Sequence, residues 1–120
     1  MKFEAGSAGA AFHPGLQVPP DASIVNKGVD PKVEAYSGFQ GTGLEQILRS
    51  RGIRRVFVCG LATDYCVKHT ALDALKYGFA VVIIEDACRA VNIPAGSGAA
   101  ALEELCKSGG QLVHAPMVAR

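Results

Sequence analysis

Charge of either sign is scarce. Charged residues make up 19% of the 120, and 12 basic against 11 acidic side chains leave a net charge of +1. That balance excludes a surface specialised by charge for nucleic acid or for an anionic membrane. Long apolar runs are also missing. The longest, Val56–Ala62 with Gly60 included and Phe79–Ile84, fall far short of the roughly 20 residues a membrane-spanning helix needs. Met1–Gly6 offers no apolar stretch of the kind a secretory signal carries, so the expected setting is the cytoplasm. Cys59, Cys66, Cys88 and Cys106 make no Cys-x-x-Cys pair, and in that setting they read as reduced thiols rather than disulfides. His13, His69 and His114 stand apart without ligand spacing, which sets structural zinc aside. No internal repeat is visible.

What is present is apolar: 49% of the residues, ample to offset the entropy of ordering, in a length that fits one domain over 1–120. Residues 1–22 carry Pro14, Pro19 and Pro20 and read as loop. Ser23–Lys27 is a short candidate strand ending at Gly28, followed by loop to Gly41. Thr42 with Glu45 three residues on has the form of a capping box. Leu44, Ile47 and Leu48 recur at helical spacing, and Gly52 sits where a helix C′ glycine belongs. Val56–Gly60 is a continuous apolar run, expected of a parallel strand buried on both faces. A second helix opens near Thr63 or Asp64, with Val67, Ala71, Ala74 and Leu75 on its apolar face, and closes at Gly78. Ala80–Ile84 is the next buried strand, finishing at Glu85-Asp86. A third helix over Gly98–Lys107 places Leu102, Leu105 and Cys106 on one side, and Gln111–Ala115 is a last strand. This alternation means an α/β fold, a parallel sheet flanked by helices.

In open α/β sheets chemistry collects at the carboxyl ends of the strands. One such end, Gly60-Leu61-Ala62-Thr63-Asp64-Tyr65-Cys66, runs from strand through a tight turn into a helix whose first turn holds a cysteine. Unpaired N–H groups and the positive helix end there favour a thiolate, which makes Cys66 the candidate nucleophile, and the same N–H groups suit an oxyanion. Cys59, Cys88 and Cys106 instead fit the commoner pattern of small buried hydrophobes. Lys27, at another strand end, either supplies positive charge or is an ordinary solvated lysine. Arg49, Arg51, Arg54 and Arg55 read as the solvated last turn of a helix. His69, three residues beyond Cys66, is expected to point along the helix and ranks below Lys27. Asp86 reads as a turn cap and Asp64 as a helix-start residue complementing the dipole.

Gly60-Leu61-Ala62-Thr63-Asp64-Tyr65-Cys66-Val67, with Thr70-Ala71 and Asp73-Ala74 behind it, resembles the nucleophile motif of nicotinamidases in the isochorismatase-like hydrolase superfamily. Lys27-Gly28, Asp30-Pro31 and Tyr36-Ser37-Gly38-Phe39 resemble that family's lysine segment, and Gly6-Ser7-x-Gly9-Ala10-x-Phe12-His13-Pro14 resembles the loop before it. The resemblance implies a three-layer isochorismatase-like fold. It also implies an amidohydrolase turning nicotinamide into nicotinate and ammonia through a cysteine thioester, as in pyridine nucleotide (NAD) salvage. Cys66 matches the nucleophile and Lys27 the second triad member. Leu61–Ala62 matches a cis peptide that aims the N–H groups of Ala62 and Cys66 at the oxyanion, and Tyr36 matches an aromatic residue near the substrate ring. A divalent metal (zinc, iron or manganese) is implied as well.

The departures from that pattern matter equally. The family's third triad member, an aspartate in an Asp-x-Gln-Asn-Asp-Phe-like motif, has no counterpart, and its metal ligands are absent; Lys2 falls where a histidine usually stands. The expectation is a single isochorismatase-like domain lacking the family's N-terminal strands, with unpaired sheet edges and no general base. Alternative readings are another hydrolase of the superfamily acting on a different small substrate, or a non-catalytic fragment serving as a complementing half. The expected partners are nicotinamide and a second copy or complementing chain.

Overall fold

A computed structural model describes residues 11–30, 32 and 35–118. Its elements run α1 (Leu44–Ser50), β1 (Arg55–Leu61), a π-turn (Thr63–Val67), α2 (Lys68–Lys76), β2 (Ala80–Arg89), α3 (Ser97–Lys107), β3 (Gln111–Val113) and α4 (Ala115–Val118). The strands form a three-stranded sheet in the order β1-β2-β3, both pairings parallel, as strand–helix alternation requires. Val56 pairs with Val81, Phe57 with Val82 and Val58 with Ile83; the register then slips, so that Gly60 pairs with Cys88. That slip carries β2 past the expected end at Glu85-Asp86 to Arg89.

The core sits between the sheet and the α2–α3 layer, around Val67, Ala71, Ala74, Phe79, Val81, Ile83 and Leu105. Small residues at Ala71 and Ala74 let α2 lie close on the strands, and both are fully buried. Each of the three longer helices ends in the same pair of backbone bonds. In α1 these are Gly52 N–H to the Arg49 carbonyl and Ile53 N–H to the Leu48 carbonyl, with Gly52 at φ 69°, a conformation glycine adopts freely.

Several expectations are corrected. Ser23–Lys27 is not a strand: among the described residues no neighbour pairs with it, since β1 bonds only to β2. Val56–Gly60 is not buried on both faces. Along β1 exposed and half-buried residues alternate, with Phe57 at 46% and Leu61 at 69% exposure, because α1 and α2 cover one face only. Thr42 does not form a capping box with Glu45. Its hydroxyl accepts from Leu44 N–H and donates to the Gly38 carbonyl, while Glu45 pairs with Arg49 one turn on. Cys59 and Cys106 are exposed, the former on the uncovered face of β1 and the latter on the outer side of α3; only Cys88 of the three is buried. The last strand stops at Val113, where Ala115 opens α4. The Gly6–Ala10 part of the loop motif and Pro31 lie outside the described residues.

Candidate active site

The nucleophile turn is built where β1 ends. The Leu61–Ala62 peptide is cis, and beyond it the Val67 N–H reaches back five residues to the Ala62 carbonyl, widening the first turn into a π-turn. Cys66 lies in that turn, half-buried. Asp64 anchors it. Its carboxylate, 7% exposed, accepts from Val91 N–H at 3.0 Å, Asn92 N–H at 2.8 Å and the Ser97 hydroxyl. Burial alone would raise its pKa, but those bonds win and hold the carboxyl at about 2, below its ordinary 3.8. Asp64 is therefore a tie between the turn and the loop before α3, a larger part than the helix-start role its position suggested. Gly98 closes the same junction. Its N–H donates to Asn92 Oδ1 at 3.0 Å, and a Cβ there would stand 2.4 Å from that of Ala90.

Lys27 reaches this turn across 39 positions of sequence. Its Nζ, on an exposed residue, donates to Cys66 Sγ at 3.1 Å and to the Ala35 carbonyl at 3.1 Å. The second bond pins the segment that carries Tyr36. The Tyr36 ring lies stacked on His69, with centroids 5.4 Å apart and planes 21° from parallel, and tilted against Tyr65 at 5.6 Å. Behind Tyr36 the segment is seated by Gly38 N–H on the Thr70 hydroxyl and by buried Phe39. His69 is thus the stacking partner of Tyr36. Its stack with Tyr36, like the Asp64 tie, has no local sequence signal, because each joins segments about 30 residues apart.

The remaining candidates take other duties. Asp86 accepts from Ala115 N–H at 2.8 Å and caps α4. Arg49 bonds Glu45 and the Tyr77 carbonyl, and its guanidinium lies over Phe79. Burial pushes the Cys88 thiol up, as its place in the core requires. Among the described residues no three His, Cys, Asp or Glu side chains come together as a metal-binding group. The metal implied by the resemblance thus finds no ligand set among those residues. A cleft of about 240 Å³ opens along Gly28–Asp30, Ala35 and Gln40-Gly41, and an apolar groove of about 290 Å³ runs along β1 beside Leu44, Leu48 and Phe57; neither is lined by Cys66. No helix among the described residues is long and apolar enough to cross a membrane.

The chain is similar to known proteins in sequence and in fold. The chain is 44% identical over 112 residues to a nicotinamidase of Escherichia coli, a match covering 88% of this chain and 53% of that protein. The crystal structure of a Pyrococcus horikoshii pyrazinamidase in complex with zinc superposes with a TM-score of 0.84 at 46% identity, over 91% of this chain and 59% of that one. An L. infantum protein in complex with nicotinate gives 0.84 at 40% identity, over 92% and 58%. The chain spans about half the length of the curated relatives it matches. The isochorismatase domain model matches residues 1–116, and on that match the chain belongs to the isochorismatase family.

Proposed function

We propose that the chain carries the thiol centre of a nicotinamide amidohydrolase, with residues 1–120 as one domain. The observation that carries this reading is the 3.1 Å contact between Lys27 Nζ and Cys66 Sγ at the carboxyl end of β1. Cys66 Sγ attacks the carboxamide carbon, and the carbonyl π pair moves onto oxygen. The N–H groups of Ala62 and Cys66 meet that oxyanion, while the Lys27 ammonium neutralises charge on sulfur. Collapse breaks the carbon–nitrogen bond and forms a thioester, and the nitrogen leaves as ammonia with the proton that the Cys66 thiol gave up. Water then adds to the thioester carbon and releases nicotinate and the thiol. Tyr36 seats the pyridine ring. Four free cysteines suit a reducing cytoplasm, the setting we assign together with pyridine nucleotide salvage.

A second reading is favoured by one observation. Among the described residues no carboxylate bonds Cys66 or Lys27, for Asp64 and Asp86 are committed elsewhere. A second copy or a complementing chain, meeting the exposed edge at Phe57 and Leu61, would then supply the base. Ammonia release from nicotinamide by the purified chain tests both. Activity lost by a thousandfold or more in Cys66→Ala supports the amidohydrolase. A folded chain that releases none, alone or at high concentration, refutes it as a self-sufficient enzyme and leaves the complementing reading.

A further inference from the structure

Lys27 and Cys66 meet from unequal footings. Lys27 stands on a segment that pairs with no strand among the described residues, so the contact depends on how firmly the thiol side is held. Two local bonds shape the turn of Cys66: Tyr65 N–H and Val67 N–H both donate to the Ala62 carbonyl at 3.0 Å. They close within the turn and do not tie it to anything outside. That tie comes from the loop before α3. Val91 N–H at 3.0 Å, Asn92 N–H at 2.8 Å and the Ser97 hydroxyl converge on the Asp64 carboxylate, and the Tyr65 hydroxyl donates to the Ile93 carbonyl at 3.1 Å. The loop is fastened in its turn. Asn92 takes φ 60°, a left-handed backbone that asparagine tolerates, and its Oδ1 accepts from Gly98 N–H at 3.0 Å.

We propose that Asp64 is a positioning residue: by clasping residues 91–97 it holds the Cys66 thiol within reach of the Lys27 ammonium. The inference rests on the thiol-centre reading above and says what keeps that centre assembled. Asp64 needs no contact with sulfur or substrate for this. Its Oδ1 accepts from Val91, and its Oδ2 from Asn92 and Ser97. An amide in its place would turn an N–H toward a backbone N–H in either orientation. Asp64→Asn therefore keeps the side-chain volume and breaks the clasp.

The test reads the coupling between two side chains and does not require turnover. The intact chain is treated with iodoacetamide at pH 7, and labelling is followed thiol by thiol by mass spectrometry. Cys59 and Cys106, both exposed, serve as reference thiols, while buried Cys88 stays unlabelled as long as a variant is folded. In the wild-type background Lys27→Met should slow Cys66, relative to the references, by about three- to tenfold. In the Asp64→Asn background the same change should act by less than about 1.5-fold. A residue that only stabilises the fold would leave the Lys27 effect untouched in a folded chain. Should Asp64→Asn label Cys88, Ser97→Ala carries the comparison. It removes one donor of three and should cut the Lys27 effect by roughly half.

An equal Lys27 effect with and without the clasp overturns the proposal. So does the lack of any Lys27 effect in the wild-type background, for there would then be no contact to position. Ammonia release from nicotinamide separates this inference from the reading beneath it. If the wild type releases none but shows the coupling, the amide-hydrolysis reading falls and the Asp64 clasp stands; if it releases ammonia with the coupling absent, the clasp alone falls.

Discussion

β1 and β2 are adjacent, parallel and written in the same apolar alphabet, yet they live in different surroundings. β2 buries Val81, Val82 and Ile83 in succession, while β1 alternates exposed and half-buried residues along its whole length. The difference lies in their neighbours. Among the described residues β2 is paired on both edges and β1 on one, and the helices that pack on β1 do so on a single face. A run of apolar residues therefore specifies a strand, but its coverage is decided by elements the strand does not encode.

The sharpest way to test this contrast is to truncate matched positions. Ile83→Ala, in a fully buried site, should destabilise the chain by about 2–5 kcal/mol in urea unfolding. An equal loss from Phe57→Ala would contradict the comparison.

Acid probes the junction that joins the two strands to α3. The folded-state pKa of Asp64 lies below its ordinary value, so its contribution is fully present above pH 3.8 and is lost as pH falls toward about 2. The shift corresponds to about 2 kcal/mol. Unfolding free energy measured from pH 5 to 2 should fall across that window, and Asp64→Asn should be weaker at pH 7 and flatter below pH 4.

The smallest effect is expected on β1 itself. Phe57→Lys should change folding stability by less than about 0.5 kcal/mol. It should nonetheless reduce self-association in sedimentation experiments, because a charge on an edge strand opposes pairing with another chain. Unchanged association would remove β1 as the meeting surface.

The alternation of helix and strand from α1 to β3, the ends of α1 and α2 at Gly52 and Gly78, and the apolar face Val67–Ala71–Ala74 were legible, since each is a local pattern with a local cause. The proximity of Cys66 and Lys27 was legible only through resemblance, for no periodicity links positions 39 apart. Ser23–Lys27 has strand-like residues but no ladder partner, and partnership is not a property of five residues. Cys59 and Cys106 read as buried because sulfur is apolar; one faces outward on a half-covered strand and the other on the outer turn of α3. Asp64 shows the converse case. A charge beside a turn reads as a helix-start residue until three donors from residues 91, 92 and 97 are brought to it.

The close approach of Gly98 to Ala90 has a consequence for anyone reshaping the pocket by mutation and selection. The loop it fastens also carries Ile93, whose carbonyl holds the Tyr65 hydroxyl, and Tyr65 in turn braces Tyr36. Randomising only the residues around the thiol would leave that chain of supports untouched. A library extended to positions 90–98 would reach the same ring from behind, through the Ile93 carbonyl and Tyr65.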